Sequence, residues 1–147
     1  MYIPKQYKSL KREDLIAFIQ SNPFGQLISN SADRIESTAI PFIIEERNEQ
    51  LYLLSHIARF NPQLSHLNGC EVMVLFQGPH AFISPKYYTK KDSVPTWNYQ
   101  IAHLRGAISI LEKKEELVDI MERMIDLFDQ DYREKWEKLS EDYMNQV

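Results

Sequence analysis

Between residues 24 and 111 the chain carries six short runs rich in β-branched and aromatic residues: FGQLISN (24–30), ESTAIPFII (36–44), LYLLS (51–55), CEVMVLFQ (70–77), AFIS (81–84) and YQIAHLRGAISIL (99–111). Turn signals separate them. So many strands in so short a span predict an antiparallel sheet that curls or closes, because an open sheet leaves two edges to protect. Pro41 inside the second run predicts an edge or a bulge, since proline has no N–H to give a ladder. EERNEQ (45–50) reads as a polar hairpin connection.

Helical periodicity flanks this region. SLKREDLIAFIQ (9–20) places Leu15, Ile16, Phe18 and Ile19 on one face, with Ser9 as cap and Asn22-Pro23 as stop. From Glu112 onward Leu117, Ile120, Met121, Met124, Ile125 and Phe128 recur at three- and four-residue steps, and Tyr132, Trp136, Leu139 and Tyr143 continue the stripe. Both stripes read as packing surface rather than as a cofactor box. The class is therefore α+β: helix plus strands over 1–111, then acidic amphipathic helices over 112–147.

The length of 147 residues fits one domain with a real core, and 44% hydrophobic with 26% charged residues is a globular composition. No apolar run approaches the roughly 18 residues of a membrane span, and the N-terminus lacks the apolar stretch of a secretory signal. A single cysteine, Cys70, excludes an internal disulfide and fits a cytoplasmic location. The net charge of −4 is uneven: residues 112–142 hold 12 acidic and 6 basic side chains, leaving the front of the chain mildly basic. That excess suits a small anion and falls far short of the basic stripe of a strong nucleic-acid binder.

Nucleophile-elbow, dinucleotide, phosphate-loop and zinc-protease motifs are absent, and the four histidines lack ligand spacing, so no metal site is expected. SHIARFNPQ (55–63) is more informative. It gathers Ser55, His56, Arg59, Asn61 and Gln63 just after a strand, and Asn61-Pro62 starts a short helix. A guanidinium, an imidazole and helix-start amides make an anion cradle; equally, Asn61 could merely cap the helix with Arg59 in solvent. FQGPHAFISPKYY (76–88) and VPTWNY (94–99) crowd prolines, aromatic rings and polar groups together, which suits a flat heteroaromatic ligand or, alternatively, closes one end of a barrel.

MYIPK at the N-terminus, NPFG (22–25), HIARFNPQ (56–63), FQGPHAFISPKYY and VPTWNY, in this order and spacing, closely resemble the PaiB family of FMN-binding negative transcriptional regulators. The resemblance implies an FMN-binding split β-barrel of the flavin-reductase and pyridoxamine-phosphate-oxidase type, antiparallel with flanking helices and a C-terminal helical segment. It implies a homodimer with FMN at the subunit interface, and a role in repressing sporulation and extracellular protease synthesis. His56, Arg59 and Asn61 would meet the FMN phosphate; Lys86, Tyr88, Thr96, Trp97 and Asn98 would approach the ribityl chain or ring, some of them from the other subunit. Family members run on into further strands, so the resemblance also implies that C-terminal barrel strands are missing here. With no helix-turn-helix in view, DNA or another regulator is an indirect partner. The alternative is a flavin-dependent oxidoreductase of the same type, favoured by an open pocket beside His80 or Tyr88. A haem-handling barrel is a third reading, disfavoured because no histidine stands out as an axial ligand.

Overall fold

The computed structural model describes residues 3–4, 11–31, 34–90 and 92–140. Helix α1 (Arg12–Ser21) precedes strands β1 (Phe24–Asn30), β2 (Ile35–Pro41), β3 (Ile43–Arg47) and β4 (Gln50–Leu54). A 3-10 turn at Pro62–His66 leads to the long strands β5 (Glu71–Ile83) and β6 (Thr96–Ala107), followed by helices α2 (Lys114–Phe128) and α3 (Arg133–Trp136).

Four strands form an antiparallel sheet in the order β2-β1-β5-β6, and β3 and β4 pair separately as a hairpin. Among the described residues this sheet does not close, contrary to the closure expected from strand density. The change of sheet comes just after Pro41. Pro41 ends edge strand β2, the amide of Phe42 adds one more bond in the same register, to the carbonyl of Pro23 at 2.8 Å, and Ile43 then begins β3, which pairs with β4 and not with β1. The run expected as one strand over 36–44 is therefore two. The β3–β4 connection is a two-residue turn with Asn48 and Glu49 at φ 48° and 63°, the left-handed pair that matches hairpin twist.

Gly78-Pro79-His80 does not stop the chain, as the sequence reading had it. β5 runs straight through to Ile83, and the register against β6 shifts by one residue between Gln77 and His80. Proline cannot donate to a ladder, and a bulge is where a strand tolerates that loss. The extra residue changes which side chains share a face. Before it the odd positions Leu75 and Gln77 stand opposite His103 and Ile101; after it the even positions His80 and Phe82 stand opposite Tyr99 and Trp97. β6 begins at Thr96 rather than Tyr99 and ends at Ala107, after which the amide of Ile108 adds one more bond in the same register, to the carbonyl of Cys70.

The core gathers Ile19 of α1, Leu27, Phe42, Ile44, Leu67, Val72, Val74, Phe76 and Ala102. Phe42 meets the ring of Phe76 edge-on, with centroids 5.5 Å apart. Two glycines admit large rings to this core. A Cβ at Gly25 would lie 2.8 Å from Phe76, and one at Gly78 would lie 2.6 Å from Phe18 of α1.

α1 starts at Arg12 with no side-chain cap from Lys11; the cap expected at Ser9 lies outside the described residues. α2 buries Ile120 and Met124 of its predicted stripe, whereas Phe128 remains 47% exposed. The helix expected to carry Trp136 and Tyr143 is only the single turn of α3 among the described residues, and Tyr143 lies outside them. Buried Trp136 donates its indole N–H to Glu122 at 3.2 Å, and Arg133 joins Glu122, Asp126 and Glu137.

Candidate functional site

The turn that leaves β4 is fixed at both ends to the outer edge strand. Ser55 donates its hydroxyl to the carbonyl of Pro41 at 2.6 Å, and Asn61 donates its amide to the hydroxyl of Thr38 at 3.0 Å. Asn61 Oδ1 also accepts the backbone N–H of Gln63 at 2.9 Å, so Asn61 caps the 3-10 turn. The capping reading of Asn61 is thus realised, and its side chain is already engaged in holding the turn. His56 is half-buried with Nδ1 3.2 Å from Met124 Sδ of α2, and burial holds its imidazole below the ordinary value of 6.5. At neutral pH it is an uncharged hydrogen-bonding group. Arg59 projects exposed from the turn and has no ion pair with any described residue, leaving its guanidinium available to an anion.

Lys86, Tyr88, Thr96, Trp97 and Asn98 gather at the far end of the β5–β6 ladder. Ser84 caps a 3-10 turn at Pro85–Tyr87 through the N–H of Lys86, and the Lys86 ammonium lies 5.0 Å from the ring centre of Tyr87. Across the ladder Thr96 pairs with Ile83, Trp97 with Phe82 and Asn98 with Ala81. Strand alternation then divides the set: Trp97 shares a face with Phe82, His80 and Tyr99, while Thr96 and Asn98 take the other. The Trp97 ring lies 5.7 Å from His80 and 6.0 Å from Phe82. Trp97, Tyr99 and Phe82 are 56%, 59% and 53% exposed, so a row of aromatic rings stands uncovered on one side of the hairpin.

Gln77, His80, Trp97, Tyr99 and Ile101 line an open groove of about 340 Å³ along that face. Of these five only Trp97 was singled out from sequence as a site residue. His80 was named from sequence only as a group beside a pocket, and Gln77 was not named; the two are three apart and share a face only across the bulge. A Pro inside a strand-like run, read as a bulge instead of a stop, is the signal that would have found them. Among the described residues no hydrogen bond or ring contact joins the groove to the turn of His56, Arg59 and Asn61, so the candidate residues fall into two groups without direct contact. Among the described residues no three His, Cys, Asp or Glu side chains gather closely enough to hold a metal ion, and no helix is long and apolar enough to cross a membrane.

An exposed, unpaired guanidinium and a row of uncovered aromatic rings on an antiparallel sheet are the groups that a binding domain for a phosphorylated aromatic cofactor would use. The chain matches the model of the family described as "Putative FMN-binding domain" over residues 1–147 and belongs to that family. FMN is its cofactor.

The chain is 38% identical over 143 residues to the protease synthase and sporulation protein PAI 2 of Bacillus subtilis (strain 168), which places it in the PaiB family. That match covers 95% of this chain and 68% of the relative. An uncharacterized protein of Emericella nidulans is 30% identical over 160 residues, 86% of this chain and 64% of that protein. Another, from Aspergillus fumigatus, is 30% identical over 126 residues, 62% of this chain and 48% of that protein.

The residues present fit FMN in kind. Arg59 would offer the phosphate a planar fork of donors, and the groove beside Trp97 would offer the ring apolar contact with polar atoms from Gln77 and His80 at its edge. When bound, FMN supplies one- and two-electron redox chemistry, while the chain's own groups bind, orient and shield it.

Proposed function

We propose that this chain is a PaiB-type negative regulator of transcription, bearing on sporulation and extracellular protease synthesis, that binds FMN between two copies of itself. The observation that carries this reading is that both groups of candidate residues stand uncovered and make no direct contact with each other among the described residues. Arg59 presents an exposed guanidinium with no ion pair to any described residue, and the rings of Trp97, Tyr99 and Phe82 are more than half exposed. Two copies would let the Arg59 turn of one subunit hold the phosphate while the Trp97 face of the other meets the ring. The open four-stranded sheet and the separate β3–β4 hairpin are then the halves of a split barrel, completed by further strands or by the partner. The name of the Bacillus relative, a protease synthase and sporulation protein, supplies the physiological direction.

Regulation in this reading runs through a flavin-dependent state of the dimer rather than through a basic DNA-reading surface, in keeping with the net charge of −4. The groove open beside His80 favours a second reading, a flavin-dependent oxidoreductase that admits a substrate over the ring. Visible absorption of the purified protein, FMN titration and sedimentation at micromolar concentration test the proposal together. A dimer that binds FMN supports it, and a monomer with no affinity for FMN overturns it. Rapid oxidation of a reduced nicotinamide by the FMN-loaded dimer would select the enzyme.

A further inference from the structure

We infer that Gln63 is the positioning residue of the phosphate turn, acting through Asn61 to set where Arg59 stands; this rests on reading that turn as the phosphate site. Gln63 is a polar side chain only 1% exposed, inserted from the 3-10 turn between β1 and β2. Its carboxamide oxygen accepts the hydroxyl proton of Thr38 at 2.6 Å, and its amide donates to Ser29 Oγ at 2.8 Å. Longer contacts reach the carbonyls of Leu27 at 3.3 Å and Glu36 at 3.4 Å.

The directions of these bonds leave little choice. Asn61 donates to Thr38, so Thr38 gives its one proton to Gln63; the carboxamide must then point its oxygen at β2 and its nitrogen at β1. The backbone N–H of Gln63 returns to Asn61 Oδ1, and the N–H of Asn61 goes to the carbonyl of Ala58 at 2.8 Å. The link from the sheet through Asn61 to the residue before Arg59 is thereby specified by one amide plane, while Ser55 holds the other end of the turn to Pro41. Burying a carboxamide costs several kcal/mol unless each polar atom is paired, so the paired orientation is strongly selected. An apolar residue of the same size would fill the space but would no longer fix the direction of the Thr38 hydroxyl that Asn61 bonds.

Wild type, Gln63→Met, Thr38→Val, Thr38→Ser and Arg59→Ala are titrated with FMN and with riboflavin, which lacks the phosphate, alongside thermal melts. A positioning role raises the Kd for FMN about tenfold in Gln63→Met and Thr38→Val and leaves that for riboflavin unchanged. Thr38→Ser, which keeps the hydroxyl, retains the wild-type ratio. If Gln63→Met does not fold, Thr38→Val carries the same test from the strand side. Equal weakening of both flavins, or no change in either, would show a purely structural peg and overturn the inference. Failure of the underlying reading looks different: wild type would then bind FMN no more tightly than riboflavin, and Arg59→Ala would bind like wild type.

Discussion

The ring of Phe76 fills the space above Gly25, its cross-strand partner: a Cβ on Gly25 would lie 2.8 Å from Phe76 Cε1 and 3.1 Å from the carbonyl oxygen of Leu75. Neither neighbour can give way, since Phe76 is fully buried and the carbonyl is backbone. Gly25→Ala should cost about 2 kcal/mol through overpacking. Gly78→Ala should cost less, although its nearest contact is nominally shorter, because the opposing ring of Phe18 is only half-buried and can swing outward. Urea denaturation of the two variants decides the order; equal losses would mean that Phe18 is held as firmly as Phe76.

Glu49 occupies a left-handed conformation at φ 63° in the β3–β4 turn, where a glycine carries no steric penalty. Glu49→Gly completes the Asn-Gly pair that this turn type prefers and should stabilise the protein by about 0.5 to 1 kcal/mol. The backbone carbonyl of Glu49, which accepts from Arg12 of α1, is kept by the substitution. A lower denaturation midpoint would show that the Glu49 side chain does something its exposure conceals.

Burial lowers the imidazoles of both His56 and His103 below their ordinary value, and for His103 the charge of Arg105 adds to burial. In each case the unfolded chain takes up the proton more readily than the folded one. The corresponding stability is fully present above about pH 6.5 and is lost as pH falls from there through the lower folded values. Melting temperature should therefore drop between pH 7 and pH 5, and His56→Leu should flatten part of that fall. An identical pH slope in His56→Leu would mean that the imidazole beside Met124 contributes nothing to it.

Arg59→Ala should weaken FMN binding by about 1 to 3 kcal/mol, roughly a five- to hundredfold rise in Kd, as when one charge-assisted bond to phosphate is lost. An unchanged constant would remove Arg59 from the site and leave the turn with a structural role alone.

Much of the fold was legible in the sequence where side-chain alternation alone decides it. β1 begins at Phe24 and ends at Asn30, the limits its alternation predicts, and buries Gly25, Leu27 and Ser29 on one face. Pro41 announces an edge strand and ends one. The reading failed where two local signals meant different things in different surroundings. Gly78-Pro79 is a stop in most contexts and a bulge here, because β6 supplies pairing on either side of it. The stripe through Tyr132 and Trp136 predicts a second helix after Asp129, where the backbone does break at φ −155° and ψ 70°, but among the described residues that helix is only a single turn. In the candidate site, Arg59 and Trp97 could be named from residue type. Gln63 could not, since nothing in a sequence distinguishes a solvated glutamine from one whose four polar contacts lie inside the protein.

One added residue at Gly78-Pro79 lets a single pair of strands answer to two different demands. Below the bulge, Val72, Val74 and Phe76 are constrained by close packing, where a methylene more or less is felt throughout the core. Above it, His80 and Phe82 are set into a new phase, out of the core and against the exposed ring of Trp97, with His80 lining the groove. A substitution at the tip of the hairpin therefore alters what the groove presents while the base of the same strands keeps the interior unchanged.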